Sequence, residues 1–91
     1  MSTKKNDFES EVISVQQCRA ARAMLGWSQG DLAEAAAVSR TTIVDFERSI
    51  RIPHRNNLAA IRRAFEAAGI EFLAENGGGA GLRFARRSDQ T

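Results

Sequence analysis

The sequence predicts a mainly α domain: a compact set of four short helices followed by a C-terminal β-hairpin. Three observations lead there. Helix-capping patterns recur at Ser14, Ser28 and Ser39. An apolar helical period runs from Leu58 to Ala68, and beyond Gly69 the period changes from 3.6 to 2. With 91 residues the chain has room for one domain, whose small core covers only about 60–65% of the surface an unfolded chain exposes.

Residues 1–12 read as a flexible polar arm with one stray aromatic, Phe8, and order is expected to begin near Ile13. Ser14 caps the first helix, with Gln17 in the third position, Ile13 before the cap and Cys18 where a hydrophobic staple closes. Ser28 caps the second in the same way, with Asp31, Trp27 and Leu32. Ser39 caps the third, with Val38 before it and Ile43 at the staple position. Gly26 stops the first helix after Leu25, and the second ends near Ala36 and Ala37.

The fourth helix starts after Pro53, a residue suited to a helix margin, with His54 as cap and Arg55 to Ala68 as body. Leu58, Ile61, Phe65 and Ala68 share one face, and Arg62, Arg63 and Glu66 turn away from it. Gly69 fits the left-handed closing position, from which Ile70 packs back on Phe65. Ile70-Glu71-Phe72 and Leu82-Arg83-Phe84 each alternate apolar with charged around a glycine-rich loop, which predicts a hairpin over 70–85. Neither Lys-Ser/Thr nor a helix follows those glycines, so they do not read as a phosphate cradle. Residues 86–91 read as a frayed tail.

Leu, Ile, Val and Phe supply 20 of the 91 residues and the net charge is only +2, a balance unlike that of disordered chains. The absence of a long apolar run and the polar N-terminus argue against a membrane span and a secretory signal, so a cytoplasmic location is expected. One cysteine, Cys18, and one histidine, His54, suffice for neither an intrachain disulfide nor a structural zinc site; no metal or cofactor is expected. Cys18 shares the inner stripe of the first helix with Val15 and Leu25, which favours core packing over redox sensing. His54 reads as a cap or phosphate neighbour ahead of a pH switch. A single histidine supports no nucleophile–base–carboxylate set, which disfavours an enzyme. The aromatics fit apolar periodicity, and no platform for single-stranded nucleic acid is apparent.

Charge is distributed unevenly. Residues 38–65 carry six Arg against Asp45 and Glu47, a net +4, whereas residues 1–37 and 66–91 each sum to −1. Such clustering is the footprint of a surface that meets phosphates, although a solvated helix face has the same composition. Eleven of the thirteen basic residues are Arg, which favours planar hydrogen bonding to phosphate or guanine.

Two helices of about eight residues joined tightly through Ala37 and Val38 have the geometry of a helix-turn-helix, whose second helix presents its N-terminal residues to the major groove. On that helix Ile43, Phe46 and Ile50 are expected inside, and Arg40, Thr41, Val44, Asp45 and Arg48 outside. Leu25-Gly26-Trp27-Ser28-Gln29, Asp31-Leu32-Ala33, Ala36, Val38-Ser39, Thr42-Ile43 and Phe46-Glu47 together resemble the lambda-repressor/Cro-like (XRE-type) helix-turn-helix transcriptional regulators. Pro53, Leu58, Ile61, Phe65 and Ala68-Gly69-Ile70 extend the likeness, which covers roughly residues 14–70. Two departures stand out. The family usually has Gly two residues after the glutamate, where this chain has Ser49, and the hairpin replaces the usual fifth helix, so the family's common dimer contact does not carry over.

The resemblance implies a lambda-repressor-like fold and a sequence-specific, double-stranded DNA-binding regulator of prokaryotic or phage type, with a homodimeric repressor, whose targets could include its own promoter, as the leading form. Position by position it implies base reading by Arg40, Thr41, Val44 and Asp45. Arg40 suits guanine O6 and N7, Thr41 a base edge or phosphate, and Val44 a thymine methyl. Asp45 either accepts from cytosine N4 or orients Arg48 or Thr41. Ser28, Gln29, Ser39, Arg48, Ser49, Arg51 and Arg55 would lie along the backbone, with Gln29 also bracing the recognition helix; the lesser reading of Gln29 and Arg48 is as ordinary surface residues.

Helical spacing puts Arg22 on the stripe of Cys18 and Leu25, and Glu47 four residues after Ile43. The family pairs these positions, so an Arg22–Glu47 ion pair is expected. The hairpin residues Ile70, Phe72, Leu82 and Phe84 are expected either to form the dimerisation element or to cap their own domain. Two other readings stand beside this one: the antitoxin of a toxin–antitoxin pair, and a helix-turn-helix kept as a protein-interaction module. The operator, the regulated genes, any effector and the choice between repression and activation are not readable from the residues.

Overall fold

Each helix begins where a side chain takes up an otherwise unpaired backbone N–H. In the computed structural model, which describes residues 12–74 and 77–85, the elements are α1 (Val15–Leu25), α2 (Gln29–Ala36), α3 (Arg40–Glu47), α4 (Arg55–Ala67), β1 (Ile70–Leu73) and β2 (Gly81–Phe84). Ser14 Oγ accepts from the Gln17 N–H at 3.0 Å and Gln17 Oε1 accepts from the Ser14 N–H at 2.9 Å. Ser28 and Asp31 form the same reciprocal box at 2.9 and 3.0 Å. Ser39 Oγ accepts from the Thr42 N–H at 3.0 Å, and His54 Nδ1 from that of Asn56 at 3.1 Å. Each such cap is worth on the order of 1 kcal/mol.

The helix ends shape the domain as much as the starts. Gly26 closes α1 in the left-handed region, while Ala37 and Ser49 adopt it without being glycine, with φ of 59° and 60°. Ala37 ends α2 and leaves only Val38 and the cap Ser39 before α3 starts at Arg40, which sets the tight helix-turn-helix corner. Gly69, at φ 103°, lets the chain leave α4 and enter β1.

The core collects Cys18 and Ala21 of α1, Leu32, Ala33 and Ala36 of α2, Ile43 and Phe46 of α3, and Leu58, Ile61 and Phe65 of α4. Ile13 and the first strand complete it. Phe65 lies at its centre, stacked on Trp27 at 5.7 Å between ring centroids and meeting Phe72 edge-on at 5.9 Å. The fold is mainly α with a two-stranded antiparallel hairpin that pairs Ile70 with Phe84 and Phe72 with Leu82.

Two expectations change. Ile50 is not inward but 58% exposed, because α3 stops at Glu47 and Ser49 turns the chain; an inward place seven residues after Ile43 needs a helix that continues. Val12, assigned to the arm, is half-buried and packs against the core. The four hairpin residues divide between the two expected roles, three covering their own domain and one facing out. Ile70 and Phe72 are 2% and 9% exposed within the protomer's own core, Leu82 is half-buried against it, and Phe84 is 57% exposed. The rest of the arm (1–11) and the tail (86–91) lie outside the described residues.

Candidate nucleic-acid interface

Helix α3 divides sharply around its axis. Ile43, Phe46 and Glu47 are buried, whereas Arg40, Thr41 and Arg48 are exposed and Val44 and Asp45 half-buried on the other side. Residues spaced by one, four, five and eight positions share a helix face, so these five side chains form one outward strip.

The inward side is held by a charged knot. Glu47, 4% exposed, receives both Arg22 Nε and Nη2 at 2.7 Å, so the pair is bidentate. The same carboxylate accepts from Cys18 Sγ at 3.2 Å and Gln29 Nε2 at 3.2 Å. Arg22 Nη1 also donates to the Trp27 carbonyl at 3.0 Å. One carboxylate therefore ties α1 and the start of α2 to the end of α3. Burial pushes the Glu47 carboxyl up, but the hydrogen bonds from Arg22, Cys18 and Gln29 outweigh it and hold the group below the usual carboxylate range. Burial, then the hydrogen bond and the charge of Glu47, push the Cys18 thiol well above its ordinary range. As a neutral donor in this knot, Cys18 plays a part beyond filling space.

The loop after α3 turns back under that helix. The Asp45 carbonyl accepts from the Ile50 N–H at 2.8 Å and the Arg51 N–H at 3.4 Å. Arg51 thereby comes to line an open cleft of about 340 Å³ with Thr41, Asp45, His54 and Asn57. The structure thus brings Thr41 and Asp45, named as base readers, beside Arg51, named as a backbone contact. Arg40, Val44 and Arg48 lie outside that cleft on the same helix. Ser28 and Ser39 sit at the N-termini of α2 and α3 with their hydroxyls engaged in caps. Gln29 is half-buried and joined to Glu47, which makes it a brace of α3. Ser49 and Arg55 are exposed on the chain that links α3 to α4 and on the first turn of α4.

Sequence reasoning missed two features here. Ile52, 81% exposed, stands on the rim of the Arg51 cleft, and Asn57 reaches into it from the first turn of α4. An apolar residue between Arg51 and Pro53 was a signal for the first. His54 accepts the Asn56 N–H at Nδ1, so in its neutral form the proton sits on Nε2 and the ring remains a donor.

Among the described residues no helix is long and apolar enough to cross a membrane, and no group of three His, Cys, Asp or Glu is placed to hold a metal ion. No curated protein matches the chain. The family model described as Helix-turn-helix matches residues 19–72, which run from α1 through the turn and both helices of the motif into β1. With the outward strip on α3 and more than half of the sequence within that match, the chain belongs to the lambda-repressor-like (XRE-type) helix-turn-helix family of DNA-binding regulators.

Proposed function

We propose that this DNA-binding regulator is a sequence-specific reader of double-stranded DNA that acts as a dimeric, autoregulatory repressor on a palindromic operator. The observation that carries the reading is the outward strip of α3, held from behind by the Glu47 knot and lying in the segment of net +4 charge. Arg40, Thr41, Val44 and Asp45 then meet base edges, and Arg40 supplies the bidentate contact to guanine. Arg48, Arg51 and Arg55, with Ser28, Gln29, Ser39 and Ser49, follow the phosphates and supply affinity without sequence information. Two copies bound about 34 Å apart would read two half-sites on one face of the duplex, and occupancy of a promoter by such a pair excludes polymerase.

Selection of bound sequences from a random duplex pool tests the reading. The expected result is one motif with two-fold symmetry, together with a steep loss of binding to random duplex as salt rises. A protein-interaction module would show neither. An enriched motif that leaves its own promoter active in a reporter strain would keep the DNA reader and remove autorepression.

A further inference from the structure

The hairpin's hydrogen-bond phase leaves one strand edge open in a definite pattern. The Ala85 N–H donates to the Gly69 carbonyl at 2.7 Å, which makes 69/85 a bonded pair. Two-residue alternation in an antiparallel ladder then makes Glu71/Arg83 and Leu73/Gly81 bonded pairs as well. The backbone N–H and C=O of Leu82 and Phe84 therefore face away from β1. Among the described residues, no backbone hydrogen bond outside the hairpin engages them. The same phase turns Ile70 and Phe72 outward on β1, but both are buried. Strand β2 is the accessible one: Arg83 and Phe84 are exposed, and the approach from Gly77 to Ala80 carries no side chain larger than a methyl.

We propose that β2 pairs antiparallel with β2 of a second copy across a two-fold axis, extending the hairpin into a four-stranded sheet. Outward groups must meet outward groups. The register centred on Arg83 sets Leu82 opposite Phe84 of the second copy, twice, and uses both outward amides of each strand. It covers Phe84, otherwise 57% exposed, with a cross-strand leucine. The two Arg83 side chains meet near the axis on the opposite face, each ion-paired with its own Glu71 at 3.0 Å, which tempers their repulsion. Pairing of four-residue strands sits at the small end of specific interfaces, so the free protein dimerises in the micromolar range and operator DNA strengthens the pair. The inference deepens the dimeric reading above and is tested without DNA.

The discriminating variant is Phe84→Pro, which deletes an outward N–H and leaves the β1–β2 ladder intact, whereas Arg83→Pro would break the ladder itself. Sedimentation of the full chain up to several hundred micromolar should show a monomer–dimer equilibrium in the wild type. In Phe84→Pro the dissociation constant should rise at least tenfold with unchanged circular dichroism. A wild type that stays monomeric, or a Phe84→Pro that dimerises equally well, overturns the proposal. So does a dimer dissociated by Ile52→Ser and not by Phe84→Pro, which would place the contact on the apolar loop. If Phe84→Pro does not fold, wild-type amide exchange decides: Leu82 and Phe84 should slow with rising concentration while Arg83 does not, and concentration-independent exchange overturns the pairing. Binding to random duplex, measured in parallel, reports on the DNA reading alone.

Discussion

Replacing Arg22 by Met leaves the Glu47 carboxylate 4% exposed with only the Cys18 thiol and the Gln29 amide, both at 3.2 Å, as donors. Removing one partner of a buried pair costs about 3–5 kcal/mol, because the survivor keeps its desolvation penalty and loses the compensating charge. Glu47→Gln is milder. Arg22 is 20% exposed and can turn toward water, and Gln still offers one acceptor, so the loss is about 1.5–3 kcal/mol, the range for hydrogen bonds to charged groups. A domain of 91 residues has on the order of 5–14 kcal/mol in total, so Arg22→Met consumes a large part of it.

Urea melts of both single variants and the double measure the coupling. The double should lose about 1–2 kcal/mol less than the sum of the singles. The pH dependence adds a second readout. A carboxyl whose folded pKa is depressed contributes stability above its unfolded value, about 4.3, and loses that contribution as the pH falls through the folded value. Wild type minus Glu47→Gln should therefore shrink in acid below about pH 4. Additive losses, or a difference that stays constant from pH 7 to pH 3, would refute a direct, charged pair.

Arg40→Ala should cost about 1–3 kcal/mol on the selected motif and relax one base position, and an unchanged motif would mean that another residue reads it. Arg51→Ala should weaken all sequences alike and flatten the salt slope by about one unit; a base-specific loss would refute its backbone role. Ser49→Gly should stabilise by about 0.5–1 kcal/mol, since Ser49 holds φ at 60°, and an unchanged melting midpoint would count against that strain. The buried, neutral Cys18 thiol should react with an aromatic disulfide at pH 8 only as fast as the protein opens, and rapid labelling of the native state would contradict its burial.

The caps were legible because each is a local bargain between a serine and a backbone N–H three residues away, and no distant contact needs to be known. The Arg22 and Glu47 positions were legible for a different reason: helical phase turned both inward, where a lone charge is rarely tolerated, and the family resemblance implied that they pair. Ile50 was misread because phase was extended past the end of its helix. A Ser in the left-handed region leaves no mark in a hydropathy pattern, so α3 read as longer than it is. The hairpin's alternation was visible, but which of its residues face helices depends on where the hairpin lies against α4 and α1. The contact between Gln17 Nε2 and the Gly81 carbonyl, 2.8 Å across 64 residues of sequence, belongs to that same long-range placement.

A hydrophobic residue at position 47 would pack without desolvating a charge, and buried ion pairs are weak sources of stability for that reason. What Glu47 adds is direction: bidentate contact with α1 and a bond to the first residue of α2 orient the end of α3 by hydrogen-bond geometry as well as by packing. If orientation is the function of the knot, both Arg22→Met and Glu47→Gln should lower the ratio of specific to random duplex binding at temperatures where they stay folded. Long-range charge predicts something else. Arg22→Met leaves an uncompensated negative charge behind the recognition helix and should weaken random binding, whereas Glu47→Gln leaves a positive one and should strengthen it. Filter binding to the selected motif and to random duplex at two salt concentrations separates the two effects, because screening erases the charge term and leaves the geometric one. A specificity ratio unchanged in both variants would show that packing alone sets the angle of α3 and that the knot has no part in reading DNA.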